Sequence, residues 1–142
     1  MAEGLLLHHL PTDMQSMVSV RSAGTHGLHG NRAEPLAVRA AAAHGADISG
    51  HRARVLDAAM IRSADLVLGM EKYHLEKINA QLMFGCKYAS LLGEFAPQGH
   101  NLEIEDPYGQ PLNAYTAAAR DILDCMPGLI DYIRSKVLTT AP

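Results

Sequence analysis

Only two cysteines, Cys86 and Cys125, occur in the 142 residues. They allow one bridge at most, so a disulfide framework is excluded. With no export signal, two free thiols in a reducing cytoplasm are expected. No apolar run approaches the roughly 20 residues that span a bilayer. Leu5-Leu6-Leu7 is short and ends at His8-His9. The amino end has neither the basic n-region nor the apolar h-region of a signal peptide. A cytoplasmic location without membrane insertion is therefore expected. Basic clustering is also absent: Arg52-Ala53-Arg54 is the densest basic spot, and the net charge is −3. No nucleic-acid partner is expected from that balance. The chain has no internal repeat and no marked composition shift, which leaves one domain spanning 1–142.

About half of the residues, 48%, are apolar, enough for a single core. A short helix is predicted from Ala2 to about Leu10, stopped by Pro11. Met17–Arg21 alternates between apolar and polar and predicts a strand. Gly24, Gly27 and Gly30 mark a loop. Glu34-Pro35 opens a helix that runs through Ala40–Ala43 and stops at Gly45. Ser49 to Arg54 reads as a turn leading to a short element. Ala64–Met70 is an apolar run of strand length, suited to a parallel strand buried on both faces. A helix from Glu71 to about Ala80 and a strand over Tyr88–Leu92 come after it. The last helix begins near Leu112, with Tyr115, Ala119, Ile122, Met126, Leu129 and Ile133 at three-to-four spacing. Pro127 is expected to kink or break it. Strands alternating with helices predict an α/β fold, a parallel sheet flanked by helices in three layers.

The chemistry-bearing segment is Glu105-Asp106-Pro107-Tyr108. Asp-Pro ahead of a helix is commonly only a turn. Its functional reading is a positioned carboxyl that protonates a leaving oxygen, with Glu105 raising its pKa by like-charge repulsion. Other patterns carry less. His26-Gly27-Leu28-His29 and His8-His9 have no acidic or cysteine partner at a ligand spacing, so no metal is expected. Gly24, Gly27 and Gly30 do not open a helix directly after a strand turn, so they make no dinucleotide fingerprint. No cofactor is expected.

The order of segments adds what single motifs lack. Ser22-Ala23-Gly24-Thr25 comes after the first predicted strand. Gly30, Glu34-Pro35, His44-Gly45 and Ser49-Gly50-His51-Arg52-Ala53-Arg54 come next. Ala64–Glu71, Leu91–Phe95 and Glu105–Tyr108 close the series. Taken together, this order resembles the low-molecular-weight protein tyrosine phosphatases along essentially the whole chain. It is most similar to their bacterial branch, some members of which sit in exopolysaccharide gene clusters. The resemblance implies phosphoryl transfer from a phosphotyrosine protein, a bacterial tyrosine kinase among the possible partners, through a cysteinyl-phosphate intermediate. It implies Asp106 as general acid and Tyr108 as the aromatic wall beside the substrate ring. It also implies Ser22 as a serine that hydrogen-bonds the phosphate loop, and His51 as a histidine of the supporting shell.

The chain departs from that family at the loop itself. The family opens with a strand and C-x5-R-[ST]-P; here Met1-Ala2-Glu3-Gly4-Leu5-Leu6 resembles the stretch just past the loop's proline. Six residues after Cys86 stands Leu92, and six after Cys125 stands Asp131, where the motif requires arginine. The loop Thr25–His29 lacks an aromatic, and Gly109 stands where the family often has a second tyrosine. The resemblance implies a sheet of four strands whose central first strand is missing here, hence an N-terminally truncated, inactive chain. Such a chain is expected to be unstable, rearranged, or self-associated through open strand edges. One alternative is a non-catalytic relative acting as a binding or regulatory module. Another is arsenate reductase chemistry on the same fold, which also needs the loop cysteine and further redox thiols.

Overall fold

A computed structural model describes residues 1–26, 28–83 and 88–140, with the side chains of 138–140 outside that description. Helix α1 spans Ala2–His9 and buries Leu5 and Leu6. Its first turn holds Glu3 and its last turn His8 and His9, which suits the helix dipole. Pro35 opens α2, Pro35–Ala42, and fixes φ where no backbone N–H is needed. Gly45, at φ +83°, turns the chain out of it. Helix α3, Ala58–Ser63, is the short element expected after the Ser49–Arg54 turn, its type left open by the sequence. Its signal is Asp57, whose Oδ1 accepts the Met60 N–H at 2.8 Å, an N-cap ahead of a short apolar stretch.

Strands β1, Val67–Gly69, and β2, Ala89–Leu91, pair in parallel with Leu68 opposite Ser90. Helix α4, Lys72–Ala80, makes the crossover between them and packs on both. Each strand is the centre of a longer run predicted to be extended. A 3₁₀ turn, Leu92–Phe95, leads from β2 into a loop, and the loop into α5, Leu112–Thr140. The architecture is α/β, a small parallel sheet flanked by helices.

The core lies where α1 and α2 pack on α5, and where the 3₁₀ turn packs on the other part of α5. Leu5, Met14, Leu92, Cys125 and Leu129 are the largest fully buried side chains there. The expected α5 stripe is buried from Tyr115 through Leu129 and half-buried at Ile133.

Two expectations are corrected. Met17–Arg21 is not a strand: among the described residues the sheet contains only β1 and β2. The segment keeps strand-like alternation, with Val18 and Val20 half-buried and Met17, Ser19 and Arg21 exposed. What it lacks is a neighbour to complete a ladder, without which extended backbone is not a strand. The chain just beyond it does find one: Gly24 N–H donates to Arg54 O at 2.8 Å, and Leu56 N–H to Gly24 O at 2.9 Å. Of the kink or break expected at Pro127, the break does not occur: α5 runs through it as one helix. Its neighbour Gly128 lets the Phe95 carbonyl occupy the space that a Cβ would need. Tertiary packing at that turn outweighs the one hydrogen bond that proline removes.

Candidate active site

The site begins at the amino end of α1. Glu3 Oε2 accepts a short hydrogen bond from Ser22 Oγ, and His51 Nδ1 lies 3.9 Å from the same oxygen. Glu3 thus joins two residues singled out in the sequence, although no motif names Glu3 itself. Its only signal is a carboxylate in the first turn of a helix beginning next to the expected phosphate site. His51 is presented by a turn in which the Ser49 N–H donates to Asp47 Oδ1 at 2.9 Å. Hydrogen bonds from Ser49, side chain first and then backbone, hold the Asp47 carboxyl below its ordinary pKa. Gly4 allows the close approach of Ile48, whose side chain fills the space where a Cβ would stand.

The second half of the site is the loop 103–110. The buried Ile104 donates its N–H to Met70 O at 2.9 Å, which ties this loop to the end of β1. Asp106 Oδ1 accepts the Tyr108 N–H at 3.0 Å, and Gln110 N–H closes the turn onto Pro107 O at 3.0 Å. Gly109 sits at φ +77°, a conformation that suits glycine. Glycine at that position therefore serves the turn, whatever it removes from a second aromatic wall. Tyr115 reaches the loop from the first turns of α5. Burial pushes its phenol pKa up, with Glu34 adding to the rise and a backbone hydrogen bond from Gly109 opposing it. Helical spacing marks Tyr115 as a core residue only, and that core position hides its second role.

These parts enclose one cavity of about 250 Å³. Ser22, His51, Asp106 and Tyr108 all line it, together with Glu3 and Tyr115. Asp106 is exposed, and among the described residues one of its oxygens accepts the Tyr108 N–H while the other has no hydrogen-bond partner. Tyr108 is 66% exposed on the cavity wall.

No thiol lines the cavity among the described residues. Cys125 is buried inside α5, its Sγ donates to Asp121 O at 3.1 Å, and burial pushes its pKa up to about 11. It is a core thiol and not a thiolate nucleophile. Cys86 lies outside the described residues. No three metal-ligating side chains come together among the described residues.

A family model for low molecular weight phosphotyrosine protein phosphatase matches residues 1–138. The low molecular weight protein-tyrosine-phosphatase Etp of Escherichia coli K12 is 37% identical over 113 residues, covering 80% of this chain and 71% of the relative. The probable low molecular weight protein-tyrosine-phosphatase EpsP of Ralstonia nicotianae is 35% identical over 135 residues, covering 95% and 87%. Among solved structures, the tyrosine phosphatase Wzb from Escherichia coli K30 in complex with sulphate superposes with a TM-score of 0.81 at 26% identity, covering 93% of this chain and 88% of that one. The chain belongs to the low-molecular-weight phosphotyrosine protein phosphatase family.

Proposed function

We propose that this chain serves the hydrolysis of phosphotyrosine in a protein substrate, with Asp106 as general acid and Tyr108 as the wall beside the phenyl ring. The observation that supports it is the convergence of Ser22, His51, Asp106 and Tyr108 on one cavity at the amino end of α1. In the reaction a thiolate attacks phosphorus and the tyrosine phenolate leaves with the proton of Asp106. The Asp106 carboxylate then takes a proton from the water that releases phosphate and restores the thiolate. Family membership supports a bacterial tyrosine kinase as substrate and a part in exopolysaccharide control, in the cytoplasm.

The thiolate and the phosphate-binding arginine are the parts that residues 1–142 do not supply, because neither cysteine begins C-x5-R. By itself the chain does not turn over aryl phosphates. A form preceded by a strand and C-x5-R-[ST]-P does, and Asp106→Asn lowers its rate by roughly a hundredfold or more. Hydrolysis of para-nitrophenyl phosphate by both forms tests this. Turnover by the 142-residue chain that disappears on Asp106→Asn would sink it. The same missing motif and the inert Cys125 favour a second reading, a non-catalytic binding module. The intact mass of the protein from its own cells separates the two. A larger mass fits the enzyme, and a mass equal to this chain fits the module.

A further inference from the structure

Next to the cavity of the acid loop lies a larger one of about 500 Å³. The two share Glu3 and His51. His29, Arg52 and Arg54 also line the larger one. Arg52 is oriented by its own turn: one terminal nitrogen donates to the carbonyls of Gly50 and His51, at 3.1 and 2.8 Å. Its other terminal nitrogen and Nε make no such bond among the described residues. Nor does any carboxylate among them pair with Arg52 or with Arg54. Glu3 is the one carboxylate on the wall, and it is already engaged with Ser22 and His51. Gly30 and Gly50 leave open space, since a Cβ at either would meet nothing within 4 Å.

The charge balance makes this unusual for the chain. Acidic residues outnumber basic ones by 15 to 12, yet two guanidiniums and two imidazoles face one cleft without a free acidic partner. A guanidinium presents a planar fork of donors matched to carboxylate and phosphate oxygens. The cleft opens beside the cavity that Asp106 lines, and the two share Glu3 and His51.

We propose that the Arg52–Arg54 cleft is an anion subsite, taking an acidic group that neighbours the target tyrosine in the substrate protein. That group is a carboxylate or a second phosphate. The proposal rests on the function proposed above for the adjoining cavity, but its test does not.

Three fluorescein-labelled peptides share a central unphosphorylated tyrosine, with neutral flanks, two glutamates or two phosphoserines. Their binding to the chain is read by fluorescence polarisation at low and at physiological salt. At least one acidic peptide binds roughly tenfold more tightly than the neutral one, and the difference shrinks with salt. Tighter binding of the glutamate peptide assigns the carboxylate, and of the phosphoserine peptide the phosphate. Arg52→Gln with Arg54→Gln removes the preference. Arg54→Glu turns it toward a lysine-flanked peptide, a gain that unfolding does not produce. Equal affinity for all three peptides, or a preference that survives the double substitution, would overturn the proposal. Loss of aryl phosphate hydrolysis in the extended form would count against the proposed function and leave this result unchanged.

Discussion

Glu103 accepts the backbone N–H of Lys72 at 2.7 Å, so a side chain from the acid loop caps the helix that comes after β1. One residue later, Ile104 donates to Met70 at 2.9 Å. Two bonds in succession therefore fix the loop that carries Asp106 against the carboxyl end of β1. Asp106 owes its place to the sheet, and it is only two residues past the second bond.

Replacing Glu103 by alanine is expected to leave an amide of the first turn of α4 without its carboxylate. The loss is about 0.5–1 kcal/mol, the lower part of the range for an N-terminal cap because the pair is exposed. Melting temperature and hydrogen exchange at Lys72 and Ile104 check it. Glu76→Ala, also exposed on α4, is the control. If both variants melt alike and protect these amides alike, the Glu103 contact does not anchor the loop.

Much of this is legible in the sequence because it depends on local chemistry. Pro35 and Gly45 bracket α2, the apolar spacing of α5 names its buried face, and Asp106 with Tyr108 marks a loop that lines the cavity. The illegible parts depend on partners distant in sequence. Met17–Arg21 has the alternation of a strand, but alternation reports which side chains are buried and not whether a ladder forms. Pro127 carries a local penalty that packing against Phe95 outweighs. Glu3 and Tyr115 enter the site through contacts with Ser22 and Gly109, which spacing does not reveal. Asp57 is a different case: its cap is readable, but the helix it opens, α3, is only six residues long and shows too little periodicity to stand out.

His74 gives a pH dependence. Its Nδ1 accepts the Glu71 N–H at 3.0 Å, which requires the neutral ring. Burial lowers its pKa from the ordinary value of 6.5, more than Glu71 and Asp106 raise it, with His26 adding to the lowering. The unfolded chain therefore takes up this proton before the folded one does. The contribution is complete above the ordinary value and is lost as pH falls through the lower folded one. Thermal melts from about pH 7 down to about pH 5 should show falling stability. His74→Gln keeps an acceptor at the third helical position and does not titrate, so its acid limb should be flatter. An identical acid limb in both proteins would remove His74 as its source.

Cys125 acts at the other end of the scale. Its folded pKa of about 11 exceeds the ordinary 9.0, so the folded chain holds the proton longer than the unfolded one. Stability from this group is complete below the ordinary value and declines as pH rises toward 11. In a Cys86→Ser background, Cys125 should react with a disulfide reagent at about pH 8 only at the rate at which the core opens. The reaction should become rapid in denaturant. Rapid reaction of the native protein would mean that the thiol is accessible, and the case against Cys125 as a nucleophile would weaken.

The Met17–Arg21 segment sets the last expectation. It lies outside the sheet, and β1 and β2 each have one side without a strand partner among the described residues. Apolar side chains are exposed close by in sequence, Met17 at 56% and Leu28 at 58%. Edges with apolar neighbours pair with other chains unless a charge or a bulge prevents it. A domain's net stability is only about 5–15 kcal/mol, so two open strand edges are felt by the whole fold. The chain should therefore associate as concentration rises, seen as a growing sedimentation coefficient, and melt over a broad range. Val20→Lys places a charge on the half-buried side of the segment and should reduce association. Ser19→Lys, on the exposed side, should reduce it less. A clean monomer at every concentration, with one sharp cooperative melt, would mean that these edges are satisfied within a single chain and that the fold tolerates a sheet of two strands.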